Sequence, residues 1–177
     1  MDIDTQLLSA AERLFDHDGF NATGMGRVVN ETRLSSRTVY KHVGSKNALM
    51  ARVLAERRKR FFEHTDFTTT TALFASLQRW ADADAEGVRG CLFFRVQAET
   101  GGSIPEIAAQ VAAYQAQLRT RIADLVASEA GVVDEQLTDQ ILALFEGATT
   151  AATYRGTAVI EAAHACALEL VRKRAQQ

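Results

Sequence analysis

Apolar residues recur along the chain at helical intervals of three and four, and no stretch alternates apolar and polar as a strand would. Leu7, Leu8, Ala11, Leu14 and Phe15 predict a first helix, ended by Gly19. Met25, Val28, Val29 and Thr32 predict a second, with Thr23 as its N-cap and two glycines, Gly24 and Gly26, in its first turn. In the third segment Ser35 is the expected N-cap, and Leu34 and Val39 occupy the positions of a hydrophobic staple. Val39 and Val43, four apart, then face inward, and Ser36, Arg37, Tyr40 and Lys41 face outward together. Gly44 ends this short helix and Ser45 caps a fourth, through Leu49, Val53, Leu54 and Phe61.

The same period continues beyond residue 72. Leu73, Leu77 and Trp80 mark a helix ending near Gly87, and a short apolar helix follows from Cys91 to about Thr100. Ser103-Ile104-Pro105-Glu106 reads as a capping box with proline in the first turn. It opens a long helix with Ile107, Val111, Tyr114, Leu118, Ile122 and Leu125 on one stripe. Asp134 is placed to cap an eighth helix, and a ninth runs from Thr157 to about Arg174. The expectation is an all-α fold of about nine helices: an N-terminal three-helix head over residues 1–48 and a helical core over 49–177.

Composition sharpens this reading. With 47% hydrophobic and 24% charged residues, the chain has the balance of an ordinary folded domain. No apolar run approaches the ~18–20 residues a membrane span requires, and the acidic start Met1-Asp2-Ile3-Asp4 lacks the basic and apolar pattern of a signal peptide. Cys91 and Cys166 have no metal-ligand spacing, and neither do His17, His42, His64 and His164, so no metal or cofactor is expected and a reduced cytoplasmic setting is the simplest. Charge is unevenly spread. The chain carries −2 overall, yet residues 27–60 hold ten Lys and Arg against only Glu31 and Glu56. A basic block on a weakly acidic protein suggests a polyanionic partner for that region alone.

Two short helices joined by a tight turn, the second with a polar outward face, form a helix-turn-helix unit, whose second helix enters the DNA major groove. Arg37 and Lys41 have the reach for guanine edges or phosphates, Ser36 and Thr38 can bond either, and Tyr40 adds a hydroxyl and an apolar face. Ser35 is counted with them at the helix start. Lys46 and Thr23, each at a predicted helix N-terminus, are placed for phosphates. The Arg57-Arg58-Lys59-Arg60 cluster reads instead as structural, because a helix C-terminus favours cations.

Residues 5–60 resemble the DNA-binding domain of the TetR/AcrR family of bacterial transcriptional regulators. The resemblance is carried by Ala10-Ala11-Glu12-Arg13-Leu14-Phe15, Gly19-Phe20-Asn21-Ala22-Thr23, Leu34-Ser35, Thr38 with Tyr40-Lys41-His42, and most specifically Gly44-Ser45-Lys46-Asn47-Ala48-Leu49. Arg89-Gly90-Cys91-Leu92-Phe93 resembles the start of the sixth helix in one branch of the family. The chain departs from the family at Arg33 and Arg37, where glycine or alanine is usual, and at Val43, where phenylalanine is usual. Arg33 is expected to adjust the turn, and Arg37 to add a cationic arm to the reading helix.

The resemblance implies a ligand-responsive dimeric repressor with a double-stranded DNA operator, and a DNA-phosphate role for His42. It also implies a small-molecule effector cavity, for which Phe62, Trp80, Phe94, Gln97, Tyr114 and Phe145 are candidate lining residues, beside Glu99. Phe61 and Phe62 are candidates for coupling ligand to DNA, since the fourth helix links head and core. Self-association through the last two helices is expected, on Leu137, Ile141, Leu144 and Ala148 of the eighth and Ala163, Ala167 and Leu170 of the ninth. A DNA-binding protein without an effector is one alternative. An all-α enzyme is another, disfavoured because no nucleophile–base pair, metal motif or phosphate loop is present.

Overall fold

The computed structural model describes residues 2–83 and 89–176 and is helical throughout, with no strand among them. The elements are α1 (Ile3–Asp18), α2 (Met25–Thr32), α3 (Ser36–Val43), α4 (Lys46–His64), α5 (Thr70–Ala83), α6 (Leu92–Thr100), α7 (Pro105–Ala130), α8 (Glu135–Arg155) and α9 (Ala158–Ala175). The expected end of the fifth helix near Gly87 lies outside the described residues. No helix among these is long and apolar enough to cross a membrane.

The helix boundaries follow local chemistry. Gly19, at φ +87°, ends α1 by donating its N–H to the Phe15 carbonyl. A Cβ there would lie 3.0 Å from Glu99 Oε1, so both the backbone angle and the close approach call for glycine. Ser35 caps α3 by accepting from the Thr38 N–H at 3.1 Å, and Ser45 accepts from Ala48 at 3.0 Å to start α4. Asp134 accepts from Leu137 to start α8, as expected.

Two expected caps are not formed. Thr23 does not cap α2, which begins after Gly24 with no side-chain cap. The capping box before α7 is also absent, because the Ser103 hydroxyl donates back to the Thr100 carbonyl at 2.7 Å and closes the turn after α6 instead.

The chain divides into two compact units. The first holds residues up to Arg60 together with Leu92–Tyr114, so α6 and the first part of α7 group with α1–α4. By packing, the N-terminal segment of that unit therefore extends past residue 48. Its core is Leu7, Phe15, Val28, Val39, Leu49, Met50 and Leu54, all essentially inaccessible to solvent, together with Leu92, Val96 and Ile107. Burying each such aliphatic or aromatic side chain contributes roughly 1.5–3 kcal/mol.

The second unit holds Phe61–Cys91 and Gln115–Gln177. Within it α8 and α9 lie against each other, and α5 packs on both. Its core carries a phenylalanine cluster. Phe62 stacks on Phe67 at 5.8 Å, Phe61 meets Phe145 edge-on at 6.4 Å, and Phe74 lies between Phe145 and the His164 ring.

The expected self-association residues need correction. Leu137, Ile141, Ala148 and Ala167 are at most 4% exposed and belong to the core of this unit. Leu144, Ala163 and Leu170 are half-buried. On both helices most of the larger apolar residues turn inward. The outward side of α8 presents Ala143, Gly147, Thr150 and Tyr154, spaced four, three and four apart, and that of α9 presents Ala162, Ala165, Cys166 and Leu168.

Candidate nucleic-acid interface

The helix-turn-helix is built by α2 and α3, joined through Arg33, Leu34 and Ser35. Arg33 carries the turn in the left-handed region at φ 56°, ψ 19°, with its N–H donating to the Asn30 carbonyl. Val39 and Val43 anchor α3 to the core, which leaves Ser36, Arg37, Tyr40 and Lys41 on the solvent side, Tyr40 being 49% exposed.

Ion pairing sorts the basic block into two groups. Arg27 pairs with Asp18, Arg52 with Asp4, and both Arg57 and Arg60 with Glu12, Arg57 reaching Asp16 as well. These arginines tie α2 and α4 to α1, which gives Arg57 and Arg60 a structural role through cross-helix pairing. By contrast, Arg33, Arg37 and Lys41 around α3, like Arg58 and Lys59 on α4, have no ion-pair or hydrogen-bonding partner for their side chains among the described residues. Three uncompensated cations therefore stand around one short helix, beside a free hydroxyl on Ser36 and the phenol of Tyr40.

The other expected contacts are placed differently. Thr23 is fully buried, and its hydroxyl donates to the carbonyls of Gly19 at 2.8 Å and Leu14 at 3.3 Å. It locks the α1–α2 turn and has no surface to offer a phosphate. Ser35 shares its hydroxyl with Thr38 at 2.8 Å, so these two side chains complete the cap of α3. His42 engages Asp4 through Nδ1 at 3.0 Å, and its carbonyl accepts from Arg52. This contact holds the end of α3 against α1.

Lys46 folds back, with Nζ 4.3 Å from the centre of the Phe20 ring. Burial lowers its ammonium pKa, and the negative charge of Glu99 pulls it back up. The side-chain ammonium is thus held by the unit itself, and at the start of α4 the Ser45 hydroxyl already takes the Ala48 N–H.

The candidate effector residues fall into both units. Phe62 and Phe145 belong to the phenylalanine cluster, and Trp80, on α5, is 38% exposed. In the first unit Tyr114 stacks on Phe93 with ring centres 4.0 Å apart, Phe94 is half-buried, and the buried Gln97 Oε1 has no hydrogen-bonding partner among the described residues. Gln110 Oε1 is in the same condition. Glu99 is placed elsewhere than expected. It accepts the Asn21 N–H at 2.7 Å, in the turn between α1 and α2. That contact joins residues 78 apart, and no local spacing announces it.

Residues 7–53 match the sequence model of bacterial regulatory proteins of the tetR family. No curated protein matches the chain. Among solved structures, a TetR-family transcriptional regulator from Streptomyces coelicolor superposes with a TM-score of 0.85 at 20% identity, over 97% of this chain and 95% of that one. NemR of E. coli in its reduced form gives 0.80 at 16% identity, over 96% and 97%. A TetR transcriptional regulator from Legionella pneumophila gives 0.79 at 17% identity, again over 96% and 97%. At these identities the likeness is one of fold.

Proposed function

We propose that this chain, whose residues 7–53 match the model of bacterial regulatory proteins of the tetR family, is a DNA-binding transcriptional regulator, and that it acts as a dimeric, ligand-responsive repressor of a palindromic operator in the cytoplasm. The observation that carries the DNA-binding part is the outward face of α3, where Arg37 and Lys41 stand without partners among the described residues. A cation left unpaired beside a helix shaped for the major groove is matched by a polyanion. Arg37, in the first turn of α3, reads a base edge. Lys41 and Arg33 contact phosphates, with Lys46 adding charge at the start of α4, and Ser36 and Tyr40 complete the contact surface.

Dimerisation is supported by the outward stripes of α8 and α9. Small residues at Ala143, Gly147, Ala162 and Ala165 let a second copy approach closely, and two copies form a four-helix bundle about a two-fold axis. A palindromic operator needs two reading heads about one helical turn, ~34–36 Å, apart. Ligand response is supported by the buried amide oxygens of Gln97 and Gln110, since buried acceptors are normally satisfied and a bound molecule is one way to satisfy them.

The test is selection of binding duplexes from a randomised library, followed by fluorescence anisotropy and a metabolite screen for release. Arg37→Ala should cost ~1–3 kcal/mol and relax preference at one base pair of each half-site. Equal binding by wild type and Arg37→Ala across operator variants refutes the base-reading role. A screen in which no metabolite alters DNA affinity leaves a constitutive binder.

A further inference from the structure

We propose that α6 positions the reading head through two side chains, Arg95 and Glu99, which clamp the end of α1 and the α1–α2 turn; the inference rests on the DNA-binding reading above. The two residues lie four apart, on one face of α6. Arg95 Nη1 donates to Asp16 Oδ1 at 3.0 Å and Nη2 donates to the Asp16 carbonyl at 2.8 Å. The guanidinium thus serves a carbonyl in the last turn of α1, where such groups lack partners within the helix. One turn further along α6, Glu99 Oε2 accepts the Asn21 N–H at 2.7 Å, and the Glu99 carbonyl accepts from Asn21 Nδ2 at 3.0 Å.

These contacts grip a segment with little slack. Gly19 is in a backbone conformation other residues rarely adopt, Phe20 is buried under Lys46, and Thr23 is tied to the carbonyls of Gly19 and Leu14. The segment leads directly into α2, which packs on α1 and on α3. Hydrogen bonds of 2.7–3.0 Å are lost within an ångström of displacement. A shift of α6 must therefore either break the clamp or carry the turn, and with it α2 and α3, along.

The chain gives α6 the means to be shifted. It packs with the head, yet it is preceded in sequence by Phe61–Cys91 of the second unit and followed, within α7, by Gln115 of that unit. Within the described residues that link is α7, one unbroken helix that crosses from Tyr114 of the first unit to Gln115 of the second. In this arrangement Arg95 and Glu99 are positioning residues, acting on DNA through the turn they hold. A purely electrostatic role for Glu99, as a negative charge beside Lys46, is the competing explanation.

The test uses the full chain and a labelled duplex selected by the wild type. Glu99→Ala and Arg95→Ala should each weaken binding about tenfold, within the usual range of coupling between sites. Glu99→Gln, whose amide oxygen still accepts from Asn21, should stay within about twofold, and the salt dependence should be unchanged in all three because no phosphate contact is removed. Glu99→Ala should also speed hydrogen exchange of the Asn21–Thr23 amides at temperatures where the protein is fully folded. Wild-type affinity in Glu99→Ala overturns the proposal, and so does tighter binding by both Glu99→Gln and Glu99→Ala, which would assign Glu99 to charge alone. If Arg95→Ala does not fold, the two Glu99 variants decide. Failure of the wild type to select any duplex removes the DNA-binding reading instead.

Discussion

Arg33 should trade stability for charge, and both sides can be worked out. Among the described residues it is the one non-glycine at positive φ. A left-handed conformation costs an L-residue roughly 1–2 kcal/mol. Glycine removes that cost but gives the unfolded chain extra freedom worth roughly 0.5–1 kcal/mol. Arg33→Gly should therefore stabilise the fold by about 0.5–1 kcal/mol, or about 1–4 °C in Tm for a chain of this size. The same substitution removes an exposed cation from the edge of the reading face. If Arg33 neutralises a phosphate, the slope of log affinity against log salt should fall by about 0.9 for each head. Arg33→Lys keeps charge and strain and should change neither quantity, while Arg33→Asn, which tolerates this conformation better, should gain part of the stability and lose the charge. Urea denaturation and anisotropy over a salt series measure the two effects. A Gly variant less stable than wild type, or a Lys variant as stable as the Gly variant, refutes the strain argument.

Thr23→Val should cost about 1–2 kcal/mol, by removing the hydroxyl that serves the Gly19 carbonyl and, at longer range, that of Leu14, and leave the salt slope unchanged; a reduced slope would return Thr23 to the DNA surface. Gly147→Glu and Ala165→Glu should give folded monomers in sedimentation, whereas Ile141→Glu should unfold the protein; a wild-type monomer at micromolar concentration would refute the dimer. The hydrogen bond from His42, opposed by burial and aided by the Arg52 charge, holds the Asp4 carboxyl below its ordinary 3.8. A depressed carboxyl stabilises the fold above its unfolded pKa and ceases to do so as pH falls through the folded value. The stability difference between wild type and Asp4→Asn should accordingly shrink as pH falls through the carboxyl's range and vanish in acid; a difference independent of pH down to 2 would sink this.

What was legible in the sequence was what depends on neighbours three or four residues away. The Ser35 cap, the inward Val39 and Val43 and the outward Arg37 and Lys41 are set by helical spacing, and α3 follows it. Thr23 misled because a threonine before a helix is an ordinary cap, and only the tight turn at Gly19 brings the Leu14 and Gly19 carbonyls within its reach. Ser103 misled in the same way, its hydroxyl being used by the preceding turn. Four of the expected self-association residues, Leu137, Ile141, Ala148 and Ala167, are core instead, because periodicity alone does not tell which side of α8 or α9 meets the rest of the chain. Glu99 and Arg95 were illegible for a different reason: their partners lie 78 and 79 residues away, and a pairing at that range is fixed only by the finished fold.

The approach of Glu99 to Gly19 ties together two positions that lie far apart in the sequence. A side chain at 19 would meet the Glu99 carboxylate at 3.0 Å, so the glutamate would have to give way by a few tenths of an ångström, loosening its hold on Asn21. A shorter residue at 99 opens that space but surrenders the Asn21 N–H. Relieving the contact at 99 alone would not open position 19, because its backbone angle of +87° still disfavours any side chain, so the turn is held to glycine twice over.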